Sequence, residues 1–219
     1  MSAPVFFTAL LYSKVIRAKH HIILYPFFRN FVFLKMKRSF ASCKLIGTVV
    51  DNGKAILWIA NHVSWWDGIW VLWANEKLFG RKFHFMMLEE QLRKNWFFRY
   101  TGGFSVRKGT RSVMESLKYT AELLSNPKNM VLMFPQGKIQ SMHRSQFSFE
   151  KGVEKILTKN LSEIQVVFQA NFVDYLSKPK PVVYQYINKY EGAPRQEALE
   201  DAYNRFYTEC LTRQSAKSS

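Results

Sequence analysis

His62 and Asp67 stand five residues apart in the stretch Trp58–Gly68, which reads W-I-A-N-H-V-S-W-W-D-G. A carboxylate hydrogen-bonded to one imidazole nitrogen fixes the tautomer and stabilises the imidazolium, so that the other nitrogen can take a proton from a hydroxyl. The surrounding residues place such a pair well. The apolar run from Ala55 to Ala60 has strand length and stops at Asn61-His62, which puts the ring at the mouth of a strand and not inside it. Ser64 has N-cap chemistry, so a helix starting near it carries Asp67 in its first turn, where the carboxylate can fold back toward His62.

The spacing alone is a weak signal. With five histidines and four aspartates in the chain, one such spacing arises by accident roughly one time in ten. His84 and Glu89 have the same spacing, but His84 lies within the apolar alternation Phe83–Leu88 and reads as a hydrogen-bonded strand histidine.

The rest of the chain supplies further strand ends. Two strands flank Asp51-Asn52-Gly53-Lys54, whose Asn-Gly is a hairpin signal, and the second strand delivers His62. Trp65 to Phe79 reads as a helix apolar nearly all round, either buried or shared with lipid. Phe83–Leu88 is a strand and Glu89–Lys94 a short helix. Tyr100–Gly109, Y-T-G-G-F-S-V-R-K-G, puts paired glycines before a short strand Phe104–Val106, and Arg107 emerges where that strand ends. A helix over Thr110–Ser125 precedes the apolar strand Met130–Phe134, which stops at Pro135-Gln136-Gly137-Lys138. Ile164–Ala170 and Pro181–Ile187 are the last strands, and a helix runs from Pro194 to about Arg213. Strands alternating with helices, without internal repeats, predict an α/β fold with a mixed, mostly parallel sheet and helices on both faces.

A formal charge of +16 over 219 residues makes an anionic partner the expectation: nucleic acid, an acidic membrane face or a phosphorylated substrate. Cys43 and Cys210 form neither a metal spacing nor a disulfide framework, so a reducing compartment is expected. Residues 1–44 carry no acid, and nine aromatics interleave with Lys14, Arg17, Lys19, Arg29, Lys35, Lys37, Arg38 and Lys44. Basic residues interrupt every apolar run there before the roughly 20 residues a spanning helix needs, and no signal-peptide layout is present. This segment reads as two short amphipathic helices, broken at Tyr25-Pro26, that lie on an anionic membrane with Phe27, Phe28, Phe31 and Phe33 inserted. Packing of the segment on the domain is the alternative. The expected division is 1–44 for the membrane-associating helices, 45–213 for the main domain and 214–219 for a flexible tail.

The blocks N-H-V-S-W-W-D-G, G-G-F-S-V-R, F-P-Q-G-K and F-E-K-G occur in one order across Asn61–Gly152. In this the chain resembles the glycerolipid and lysophospholipid acyltransferase family, typified by 1-acylglycerol-3-phosphate acyltransferase, over roughly residues 45–190. The resemblance implies an α/β acyltransferase fold, an N-terminal two-helix membrane motif, and transfer of a fatty acyl group from a thioester of coenzyme A or acyl carrier protein. Those carriers are co-substrates, and neither a cofactor nor a metal is expected. By the same resemblance His62 is the base and Asp67 its orienting carboxylate. Gly103, Phe104 and Arg107 match the block whose arginine contacts the acceptor phosphate, and Phe134, Pro135 and Gly137 match the F-P-E-G block. Three positions depart from the pattern: Gln136 stands where Glu is usual, Lys138 where Thr or Ser is common, and Val167-Phe168 where a Val-Pro pair is usual.

His62 would deprotonate an acceptor hydroxyl as it attacks the thioester, with the oxyanion resting on backbone N–H groups near the start of the following helix. Arg107, with Lys108 and Lys138, would hold an anionic head, and Gln136 would bond acceptor hydroxyls or only close a turn. The expected acceptor is a lysophospholipid such as 1-acylglycerol-3-phosphate, and the expected location the cytoplasmic face of a membrane, peripheral or monotopic. An amino-acid lipid, glycolipid or pigment hydroxyl is the alternative acceptor. A nucleic-acid-binding protein is the distant alternative; it leaves the strand-end residues unexplained, and no nucleic-acid motif is present.

Overall fold

The apolar run Ala55–Ala60 is buried at every position and forms β2, near the middle of a seven-stranded sheet. A strand without alternation needs cover on both faces, which is the setting of a parallel sheet flanked by helices. The computed structural model describes residues 15–107, 109–160 and 163–218. Its strands are β1 (Ser42–Ile46), β2 (Ala55–Ala60), β3 (Lys82–Leu88), β4 (Gly103–Val106), β5 (Asn129–Met133), β6 (Ile164–Asp174) and β7 (Val182–Tyr190), in the order β1-β7-β6-β2-β5-β3-β4. Every pair is parallel except β6 with β7. The C-terminal ends of β2 to β6 therefore share one edge of the sheet, and β1 and β7 run the other way.

Helices cover both faces, as the α/β reading requires. On one face α4 (Thr110–Leu124), α5 (Val153–Asn160) and α6 (Gln196–Ser215) enclose a core that includes Leu57, Ile59, Phe104, Val131, Phe168, Tyr203 and Tyr207. On the other, α1 (Leu24–Ser39) and α2 (Asp67–Leu78) cover Ile56, Trp58, Ala60, Met130 and Val167 with Val32, Met36, Trp70 and Val71. A short helix α3 (Glu89–Lys94) and a 3-10 turn (Trp96–Thr101) join β3 to β4.

Three local expectations change. The Asn52-Gly53 turn forms, with Gly53 at φ 77 and Asp51 Oδ1 accepting its N–H, yet it closes no hairpin. β1 pairs in parallel with β7 at the sheet edge while β2 lies between β6 and β5, because both faces of β2 are apolar and only a central position buries them. Pro26 does not break a helix. It occupies the first turn of α1, where backbone N–H groups have no intrahelical partner and a proline costs little. Residues 15–21, expected to be helical, form no helix and run beside β4 and the 3-10 turn, where Lys19 N–H bonds Arg99 O at 2.7 Å and Ser105 N–H bonds Ile16 O at 3.0 Å. The expected first amphipathic helix falls largely on residues 1–14, outside the described residues. α1 itself divides its aromatics: Phe28 and Phe33 pack partly on protein, whereas Phe27 and Phe31 are exposed. Among the described residues no helix is long and apolar enough to cross a membrane.

The extended segment carries His20 against His84 of β3, ring centroids 4.7 Å apart. Burial holds both rings neutral, with the pKa of His20 lowered to about 4 and that of His84 to about 3; the charge of Lys82 acts in the same direction. Below their ordinary value of 6.5 the unfolded chain binds these protons and the folded chain does not. Stability is therefore expected to fall as pH drops from about 6.5 toward about 4. Between pH 5 and 6.5 the stability of His84→Leu, measured by urea unfolding, should fall with pH less steeply than that of wild type, by about 1 kcal/mol per pH unit; parallel slopes would contradict a His84 kept neutral by the fold.

Candidate active site

Beyond Ala60 the chain leaves β2 through Asn61, whose buried side-chain amide grips β6: Asn171 N–H donates to Oδ1 at 2.8 Å and Nδ2 donates to Asn171 O at 3.1 Å. His62 follows at the shared C-terminal edge, with its side chain 23% exposed. A tight turn through Ser64, whose Oγ accepts Trp66 N–H at 2.8 Å, brings Asp67 to the first position of α2. Asp67 is fully buried, and its Oδ2 accepts three N–H bonds: from His62 Nδ1 at 2.8 Å, Val63 N at 2.6 Å and Ser64 N at 2.8 Å. Burial raises the pKa of this carboxyl above its ordinary value, and the bonds from His62, Ser64 and Val63 pull it back. With the carboxylate as acceptor, Nδ1 carries the ring proton and Nε2 is left with its lone pair. Phe134, the first residue after β5, stacks flat on the imidazole at 4.1 Å and 7°. The arrangement can accept a proton at Nε2 and hold the resulting imidazolium against a buried anion.

Three N–H groups of this turn are engaged within it and are not open to an oxyanion. Val63 and Ser64 spend their N–H groups on Asp67, and Trp66 spends its own on Ser64 Oγ. The reason is the backward fold of the Asp67 carboxylate, which needs donors from the same turn.

The second block lies at the same edge. Gly102 adopts φ 106, and a Cβ there would stand 2.1 Å from Phe83 O; at Gly103 it would stand 2.8 Å from Phe98 O. The paired glycines thus allow the 3-10 turn to fold directly onto β3 and start β4. Phe104 points into the core and is fully buried. Arg107 leaves the end of β4 and makes a two-point contact with Glu89 at the end of β3, Nε to Oε2 and Nη2 to Oε1, both at 2.5 Å. Arg93 adds a bond to Glu89 Oε1 at 2.8 Å. The Arg107 guanidinium first, and Arg93 with it, holds the nearly buried Glu89 carboxyl below its usual range. One carboxylate thus lies between two guanidinium groups. Lys108 lies outside the described residues.

In the third block Pro135 and Gln136 are buried, whereas Gly137 and Lys138 are exposed. Gln136 keeps 2% of its surface and turns both ends of its amide onto protein: Oε1 accepts His62 N–H at 2.7 Å, and Nε2 donates to Gln140 Oε1 at 3.2 Å. The F-E-K-G segment packs against this turn, Glu150 N–H bonding Pro135 O at 2.7 Å. The structure therefore brings together His62, Asp67, Phe134 and Gln136. Arg107 stands three strand positions from His62, about 14 Å along the sheet. Glu89, Asn61 and Gln140 are members of the site that sequence reasoning missed. Glu89 was legible as an acid at the end of an apolar strand run, but its spacing from His84 drew attention to the wrong partner. Among the described residues no group of three or more His, Cys, Asp or Glu could hold a metal ion.

A family model described as Acyltransferase matches residues 43–168, from β1 into β6. The chain belongs to the Acyltransferase family. No curated protein matches it. The matched span of this acyltransferase contains every block above and ends three residues before Asn171, so the β6 grip on Asn61 lies just beyond it.

The ion cluster yields a test with a defined sign. Because the Glu89 pKa is depressed, its contribution to stability is present above the ordinary carboxylate range and is lost as pH falls through the folded value. Glu89→Gln should cost about 1–2 kcal/mol at pH 7, and the difference from wild type should shrink below about pH 4. A cost independent of pH would assign Glu89 a packing role alone.

Proposed function

We propose that this acyltransferase moves a fatty acyl group from a thioester of coenzyme A or acyl carrier protein to a hydroxyl of a lysophospholipid such as 1-acylglycerol-3-phosphate. The observation that carries the reading is the 2.8 Å bond from His62 Nδ1 to the buried Asp67 carboxylate, at the strand edge where open α/β sheets bind ligands. His62 Nε2 takes the hydroxyl proton as the oxygen attacks the thioester carbon. The tetrahedral intermediate collapses with cleavage of the C–S bond, and the leaving thiolate receives the proton from the imidazolium. Asp67 stays ionised throughout and keeps the ring oriented.

Arg107 is the group proposed to meet the acceptor phosphate, with the exposed Lys138 following β5 at the same edge of the sheet. Glu89 aligns the Arg107 guanidinium, and that alignment favours an acceptor whose anionic head meets a preset fork. An acceptor without a phosphate, such as an amino-acid lipid, a glycolipid or a pigment, is the second reading, and the partial neutralisation of Arg107 is the observation that favours it.

Peripheral attachment to the cytoplasmic face of an anionic membrane belongs to the same proposal. Ile22, Ile23, Phe27, Phe31 and Leu34 are exposed on and just before α1, and Trp65 and Trp96 are exposed as well. Lys37 and Arg38 close the same helix. Aromatic and aliphatic side chains beside basic ones fit a lipid interface better than bulk water.

Purified protein, offered acyl-CoA or acyl carrier protein with a panel of lysolipids, should give a diacyl product identifiable by mass. His62→Ala should lower turnover by about 10² to 10⁴ with the fold intact, and Asp67→Asn should be comparably damaging through the wrong tautomer. A folded variant of either residue with near-normal turnover would contradict the assignment. Liposome binding should weaken with salt and on Phe27→Asp with Phe31→Asp; equal binding to neutral and anionic vesicles would remove the electrostatic part of the proposal.

A further inference from the structure

Three hydrogen bonds close a ring around the backbone of His62. Its N–H donates to Gln136 Oε1 at 2.7 Å, Gln136 Nε2 donates to Gln140 Oε1 at 3.2 Å, and Gln140 N–H returns to His62 O at 2.8 Å. We infer that Gln136 and Gln140 are a positioning pair, which sets the backbone of His62 and through it the imidazole, and that Gln136 does not select the acceptor. The inference rests on the reading of His62 as the base.

The chemistry of the amide explains the residue at 136. His62 N–H must meet an acceptor, so the Gln136 oxygen faces it and the nitrogen faces away. The atom beyond must then accept, and Gln140 Oε1 does. With 2% of its surface exposed and both ends of its amide bonded to protein, Gln136 presents almost no surface to an acceptor hydroxyl. The same segment supplies Phe134, whose ring lies flat on the imidazole. One stretch of chain, residues 134–140, thus holds both the main chain and the ring face of His62, while Asp67 holds Nδ1. Removing the Gln136 acceptor leaves a buried N–H without a partner. Such a group moves to find one, and the imidazole moves with it.

A carboxylate at 136 can still accept from His62 N–H, and Gln140 can turn its amide to present Nε2 to it. Carboxylates at both 136 and 140 cannot bond each other and repel. Gln136→Glu is therefore tolerated, whereas Gln136→Met and the double variant Gln136→Glu/Gln140→Glu are not.

The test measures acyl transfer from acyl-CoA to 1-acylglycerol-3-phosphate, together with amide hydrogen exchange resolved at His62. In Gln136→Met, kcat should fall about ten-fold or more with both KM values within about two-fold, the pattern of misplaced catalytic geometry. Gln136→Glu should stay within about three-fold of wild type and keep slow exchange at the His62 amide, while Gln136→Met exchanges faster. Gln140→Met retains the backbone bond to His62 O and removes only the acceptor for Gln136 Nε2. It should shift kcat in the same direction by about three-fold, which keeps the test open if Gln136→Met does not fold. A normal kcat in Gln136→Met with unchanged exchange overturns the inference, and so does a loss confined to the acceptor KM. If the wild-type chain transfers no acyl group to any lysolipid, the proposed function fails instead, and exchange alone decides: unchanged protection of the His62 amide in Gln136→Met overturns the positioning pair, and lost protection supports it.

Discussion

The buried Asp67 carboxylate is the constraint around which the site is arranged. An anion sealed from water is tolerated only if donors replace its hydration, and Oδ2 gathers the His62 ring, Val63 N–H and Ser64 N–H within 2.8 Å. The location at the first position of α2 helps, because unpaired N–H groups there carry partial positive charge. Satisfying Oδ2 of Asp67 shapes the turn from His62 to Asp67 and fixes the imidazole tautomer. It also engages the Val63 and Ser64 amides.

The sheet does the remaining placement. Because β2, β3, β4 and β5 are parallel, His62, Glu89, Arg107 and Phe134 all emerge at one edge although they are far apart in the chain. Backbone pairing sets the spacing between them in units of one strand. Side-chain amides then lock what pairing leaves loose, Asn61 onto β6 and Gln136 onto the main chain of His62. Rigid strands carry the polar groups, and short turns aim them.

Charge and aromatic content divide between interior and surface in a way that fits the proposed lipid substrate. Trp58 and Trp70 are buried in the core, and Phe28 packs on Phe97 and Phe98, so much of the aromatic content serves packing. Phe27 and Phe31 on α1 stay exposed, as do Trp65, Trp96 and Tyr175. The cations at the strand edge are also divided: Arg107 is held by a carboxylate, and Lys138 is exposed.

Local chemistry made the elements and the principal pair legible. The unbroken apolar run before Asn61, the Ser64 turn and the five-residue step to Asp67 carry their information within a few neighbouring residues, and so do the glycines at 102 and 103. The hairpin at Asn52-Gly53 misled because a turn signal says that the chain reverses and not which strand it then joins; burial of both faces of β2 decided that. The partners of Gln136, Arg107 and Asn61 were likewise out of reach of pattern. His62 and Gln136 are 74 residues apart, and Asn61 and Asn171 are 110. A hydrogen bond between such residues depends on strand order and register, and these are set by which apolar faces the whole sheet can bury together.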